Sequence, residues 1–251
     1  NLKEANQEFT ENGIKTHTES LKESISYYTN NLEIDSVNPS SDKDIFDKVK
    51  DLNKYEGLIW GGSSLNIYSD TKEIRKQIEF MKECQKRIKN ILAICWGMQV
   101  AVTAAGGVVN RGKNGAHRGI AHEIIINSDG LNHPIYKDKD KIFNTPAFNY
   151  DEVVTLPKNA ILLSSNKINN VMALNFETEF SKIWGIQYHP EITYEKMITL
   201  IKFRRKRLLE NKSFLDEKDL ESHITMIENE DKITKKESRM RELKNWLDLI
   251  A

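Results

Sequence analysis

Asn90-Ile91-Leu92-Ala93-Ile94-Cys95-Trp96-Gly97-Met98-Gln99 decides how this chain is read. An apolar run of strand length stops at Cys95, and a segment rich in small residues and of helical character, Gly97 to Ala105, begins. A thiol becomes a strong nucleophile only as the thiolate, and its reference pKa is about 8.5. At a helix N-terminus, free N–H groups and the helix dipole stabilise negative charge. The sharp exit from the strand exposes the sulfur and requires small neighbours, here Ala93 and Gly97. It also aims the backbone N–H of Trp96 at the place where an oxyanion would form. The competing reading is an inert cysteine buried at a strand end, and this decad alone does not separate the two.

Outward from it, apolar strand-length runs alternate with helix-period segments. Glu56 to Trp60 reads as a strand, Thr71 to Lys86 as an amphipathic helix and Asn90 to Ile94 as a second strand. The alternation predicts an α/β fold with a mostly parallel central sheet flanked by helices. Ligands bind such sheets at the carboxyl ends of the strands, where Cys95 and the Gly61-Gly62-Ser63-Ser64 turn both fall. From Gly119 to about Asn175 short strands separated by Asn, Asp, Gly and Pro predict an antiparallel section that continues or interrupts the sheet. Ile183 to Tyr188 then returns as a buried strand, followed by one helix from Tyr194 to Leu209. The chain opens in a helix-like stretch, Leu2 to Phe9, where an α/β fold usually has a strand, so a short strand is expected to be missing. Residues 1–210 are expected to form the main domain and residues 211–251 a C-terminal helical extension packed on it. In the extension, Leu220, Ile224 and Ile227 share one helix face, and Met240, Leu243, Trp246, Leu247 and Ile250 share another. These faces either pack on the domain or form a partner interface anchored by Trp246.

The second informative stretch is Trp184-Gly185-Ile186-Gln187-Tyr188-His189-Pro190-Glu191. His189 ends an apolar strand, and Pro190 stiffens the turn that carries Glu191. A carboxylate bonded to one ring nitrogen fixes the tautomer and leaves the other nitrogen free to accept the thiol proton. A histidine that is merely hydrogen-bonded at a strand end is the alternative, and the cysteine elbow upstream weakens it.

The Cys95–Gln99 and Gln187–Glu191 segments, together with the Gly61–Ser64 loop, resemble the class I glutamine amidotransferases, nearest to the stand-alone relatives of the GMP synthase glutaminase domain. The likeness runs from about Tyr55 to Thr199. It implies the flavodoxin-like amidotransferase fold and a Cys95–His189–Glu191 triad that attacks the side-chain amide of L-glutamine. The oxyanion hole would use the N–H of Trp96 with one from Gly62 or Ser63. Gln99, Asn149 and Tyr150 would contact the substrate, and water would release glutamate and ammonia from a cysteinyl thioester. No cofactor and no metal are implied. Family members often have Gly where Ala93 stands, and Gly-Gly-Pro where Gly62-Ser63-Ser64 stands. A segment of Ser-His-x-Asp type that holds the substrate's backbone groups appears as Phe148-Asn149-Tyr150-Asp151, without the histidine.

Composition removes several other classes. The chain has 251 residues, and its 37 basic and 37 acidic side chains cancel, so no overall field recruits nucleic acid or an acidic membrane. Lys202 to Arg207 reads as a solvated helix end. Two cysteines, Cys84 and Cys95, fit a reducing, cytoplasmic setting, and mid-helix Cys84 is given no role. No run approaches the roughly 18 apolar residues of a membrane helix, and no secretory signal opens the sequence. His117 and His122 fall on opposite faces of a strand, which disfavours a shared metal site. The altered Phe148–Asp151 segment motivates a second enzymatic reading, hydrolysis of other γ-glutamyl amides or peptides. A non-catalytic regulatory role is a third reading, which the complete triad opposes. Candidate partners are a separate ammonia-accepting synthase chain or a second copy of this one.

Overall fold

The computed structural model describes residues 1–250 and centres on a seven-stranded sheet. Across the sheet the strands run Gly57–Trp60, Asn90–Ile94, Lys182–Ile186, Ala173–Glu177, Ile161–Ser165, Ala121–Ile126 and Ile142–Thr145. The first three pair in parallel and all later neighbours pair antiparallel. Five strands therefore point one way, and only Ala173–Glu177 and Ala121–Ile126 oppose them. The predicted parallel part holds Cys95, and Ala121–Ile126, Ile142–Thr145, Ile161–Ser165 and Ala173–Glu177 continue the same sheet, whereas Asp151–Thr155 pairs with Val108–Arg111, and Phe148–Asn149 with His117–Arg118, in separate two-stranded sheets.

Asn90–Ile94 is apolar throughout because both of its faces are covered. Ile91 and Ala93 join a core with Ile74, Phe80, Met98 and Leu174 under the helices Lys72–Cys84 and Trp96–Ala104. Leu92 and Ile94 point the opposite way, into a core with Trp184, Tyr188, Leu243 and Trp246. A period of two along the strand thus feeds two cores.

The C-terminal residues close that second face. Helix Arg241–Ile250 lays Leu243, Trp246 and Leu247 on the sheet, and a Cβ at Gly57 would come within 2.6 Å of the Trp246 ring. Trp246 is 2 % exposed, so this indole fills the chain's own core and does not anchor an outside partner. Lys139 and Glu242 form a buried ion pair at 3.1 Å, and Tyr188 donates to Glu242 at 2.8 Å. Helix Glu217–Ile233 packs Leu220, Ile224 and Ile227 against Ile198 and Ile201 of helix Tyr194–Phe203.

The predicted single helix from Tyr194 to Leu209 is two helices. It is interrupted at Arg204 and resumes as Arg205–Glu210. Leu208 joins the apolar cluster with Phe214 and Leu220, and tertiary burial overrides a sequence of uniform helical propensity. At the N-terminus, helices Lys3–Glu11 and His17–Tyr28 lie on the domain, the latter opened by a Thr16/Glu19 capping box. Among the described residues no helix is long and apolar enough to cross a membrane.

Candidate active site

Cys95 sits at φ 52° and ψ −107°, a backbone conformation that costs energy for any residue bearing a Cβ. Its N–H donates to Ile186 O at 2.7 Å, which fastens the elbow to the neighbouring parallel strand. Gly97 has no room for a side chain, because a Cβ there would collide with the Trp60 carbonyl. The elbow lifts Cys95 into a cleft lined also by Ser63, Trp96, Gln99, Asn149, Tyr150, Asp151 and His189.

His189 Nδ1 lies 2.8 Å from Glu191 Oε1, and both side chains are buried. Burial alone would lower the His189 pKa. The electrostatic pull of Glu191 and of Cys95, with the hydrogen bond to Glu191, outweighs it and raises the value to about 10. The arrangement favours a protonated His189. Gln187 Nε2 donates to the Cys95 sulfur at 3.4 Å and Gln187 Oε1 accepts from Gln99 at 3.3 Å.

The backbone N–H of Trp96, first residue of its helix, has no intrahelical acceptor. Of the Gly62–Ser64 loop, Ser64 N–H is taken up by Asn1 Oδ1 at 2.8 Å, which leaves the N–H groups of Gly62 and Ser63 as the remaining donors. Gly62 abuts His189, because a Cβ would fall 2.7 Å from His189 Cε1.

Gln99, Asn149 and Tyr150 all reach the cleft, with differing freedom. The Asn149 amide is committed to His117 Nδ1 at 2.9 Å and to Asp151 O at 2.9 Å. Tyr150 directs its hydroxyl at Ser213 Oγ, 3.2 Å away. His117 is buried and bonded to Asn149 and Asn166, and burial lowers its pKa to about 4. His122 is exposed, and Asn166, which bonds the His117 ring, also donates to the His122 carbonyl. Cys84 lies in the core, where burial pushes its thiol up to about 12.

Three supports of the site carry no motif. The His17 ring stacks on His189 with centroids 5.6 Å apart. Burial, and then the charge of His189, hold its pKa well below the usual value, so it stays neutral. Ser24 Oγ donates to Glu191 O at 3.1 Å. Arg239 donates to Pro190 O and, at 2.8 Å, to Ile192 O. Three successive carbonyls of the histidine turn are thus held by the two ends of the chain. Ligand atoms of His17, His189 and Glu191 lie within 4.8 Å of one another. Glu191 Oε1 already pairs with His189 Nδ1, which engages two of these three side chains with one another.

A profile described as Glutamine amidotransferase class-I matches residues 14–205. The chain belongs to the class I glutamine amidotransferase family. Among its relatives, a γ-glutamyl-L-1-hydroxyisopropylamide hydrolase from a Pseudomonas species is 30% identical over 65% of this chain and 56% of its own. A glutamine-hydrolysing GMP synthase subunit from Methanosarcina acetivorans is 34% identical over 42% of this chain and 52% of its own. The chain thus spans little more than half the length of these curated relatives. A crystal structure of a glutamine amidotransferase from Thermotoga maritima superposes with a TM-score of 0.61 at 21% identity, covering 79% of each chain.

Proposed function

We propose that this class I amidotransferase chain hydrolyses the γ-amide of L-glutamine or of a closely similar γ-glutamyl amide, through a thioester on Cys95. The observation that carries the reading is the convergence of three features on one cleft: the Cys95 elbow, the His189–Glu191 pair, and free N–H groups from Trp96 and the Gly62–Ser63 loop. The Cys95 thiolate attacks the γ-carbonyl carbon, and the oxyanion is received by the Trp96 N–H and one from Gly62 or Ser63. His189, already carrying a proton, delivers it to the departing amine as the carbon–nitrogen bond breaks. Water then enters, His189 takes one of its protons, and hydroxide attack on the thioester releases glutamate and restores the thiolate. Glu191 keeps the imidazole in one orientation throughout. The reacting groups belong to residues 1–210, and residues 211–251 support them through Arg239.

Released ammonia would pass to a separate synthase chain, as the likeness to part of a GMP synthase suggests. The likeness to a γ-glutamylamide hydrolase favours the second reading, in which a substituted amine departs. Incubating the protein with L-glutamine and with γ-glutamyl amides, and measuring glutamate, tests both. Turnover is expected to vanish in Cys95→Ala, falling by a factor of about 10⁴ or more. Equal turnover by Cys95→Ala and wild type would overturn the mechanism.

A further inference from the structure

Arg204 and Arg207 face the cleft that holds Cys95, and Arg205 between them faces away. Arg205 pairs with Glu217 at 3.3 Å and with Glu221. Neither Arg204 nor Arg207 has a carboxylate partner among the described residues, so both cations that line the cleft stand without a paired anion. Arg204 is held in place by neutral groups. Its guanidinium lies 5.0 Å from the centre of the Phe148 ring and 5.8 Å from that of Phe9, and it donates to Ser64 Oγ at 3.2 Å. Burial, and then repulsion from Arg207, lower its pKa to about 10, which still leaves it charged at neutral pH. An unpaired, largely desolvated cation is costly to the fold unless something binds it. Stacking on two aromatic rings fixes the plane of the guanidinium and leaves its edge free for a fork-shaped anion.

Across the same loop, Asp151 accepts from Asn66 at 2.7 Å and from Tyr68 at 2.9 Å, both uncharged donors. The cleft therefore presents a carboxylate near Asn66 and a guanidinium near Ser64, and Cys95 lines the same cleft. Such a site matches a ligand carrying both charges and disfavours a purely apolar amide.

We infer that Arg204, assisted by Arg207 at the mouth, is a carboxylate subsite, so that the cleft selects γ-glutamyl compounds by an anionic group. The inference rests on the proposed γ-glutamyl chemistry. The carboxylate comes from one of two sources, the α-carboxylate of the glutamyl half or a carboxylate on the amine half.

Calorimetric binding to Cys95→Ala protein separates them without requiring turnover. The ligands are L-glutamine, with an α-carboxylate only; γ-L-glutamylglycine, with both; and L-glutaminamide, with neither. Introducing Arg204→Gln is expected to weaken a carboxylate-bearing ligand by roughly tenfold or more and to change L-glutaminamide by less than about twofold. Weakening of γ-L-glutamylglycine alone assigns the subsite to the amine half, and equal weakening of L-glutamine assigns it to the α-carboxylate. Arg204→Lys, which keeps the charge, recovers part of the affinity. Arg207→Gln, more exposed, has an effect of about threefold or less. Uniform weakening of all three ligands, no weakening of any, or no binding of either carboxylate ligand by the parent protein overturns the subsite. A wild type that binds these ligands but hydrolyses none would instead remove the proposed reaction and leave the subsite standing.

Discussion

The elbow that carries Cys95 and the turn that carries His189 and Glu191 meet in one cleft but are held there in opposite ways. The elbow is built by its own decad and the strands beside it: a both-faces-buried strand, a hydrogen bond from Cys95 to Ile186, and a glycine at 97 packed on Trp60. The turn is held from afar. Arg239 reaches Pro190 and Ile192 across 49 and 47 residues, and Ser24 reaches Glu191 across 167. A nucleophile can be positioned by backbone strain stored locally. A base whose charge must change during reaction also needs its carbonyls and its carboxylate fixed by groups that do not react.

Gly97→Ala should break the elbow with the largest effect on stability. The added methyl meets backbone, which no rotamer change relieves, so a loss of about 3 kcal/mol is expected in denaturant unfolding. An unchanged midpoint would show that the elbow has slack. Arg239→Gln attacks the turn instead. It should lower kcat by about 10- to 100-fold with KM within about threefold, because a displaced base misaligns proton transfer without emptying the cleft. Ser24→Ala, losing a single hydrogen bond, should cost about 1 kcal/mol of stability and correspondingly less activity.

The pH profile sharpens the comparison further. The folded-state pKa of His189, about 10, lies above the unfolded value of 6.5. Its proton therefore contributes stability that is fully present below about pH 6.5 and lost as pH rises through about 10. Activity that needs the imidazolium should fall through the same upper limit. Glu191→Gln removes one of the two charges opposing burial, so its alkaline limb should move down by about a unit or more. Coincident limbs for variant and wild type would separate Glu191 from the base. The smallest effect belongs to Cys84→Ala: hydrolysis unchanged, with a stability loss of about 1 kcal/mol from the cavity.

The residues legible in the sequence are those whose work is local. Cys95 announces itself by a strand that stops, Gly97 by following it, and His189 by ending another apolar strand. The strand from Asn90 to Ile94 is readable to its ends for the same reason. Gln187 stands inside the histidine motif, yet its hydrogen bond to the Cys95 sulfur depends on two adjacent parallel strands and carries no periodic signal. Arg204 reads in sequence as one of several solvated charges at a helix end; in the structure it stands at the joint between two helices and lines the cleft. Trp246 reads in sequence as either core or anchor, and its burial against the bare Gly57 decides for core.

By itself, then, the sequence pointed to the α/β order, to Cys95 as the proposed nucleophile and to the His189–Glu191 pair, since each follows from hydrophobic period and from residues within a few positions of one another. Tertiary structure alone decided the charge on His189, the stacking of His17 upon it, the Arg239 and Ser24 supports and the place of Arg204 in the cleft lining. Those depend on burial and on groups brought together from distant parts of the chain, and both desolvation and Coulomb energy are set by distances in space that spacing along the chain does not encode.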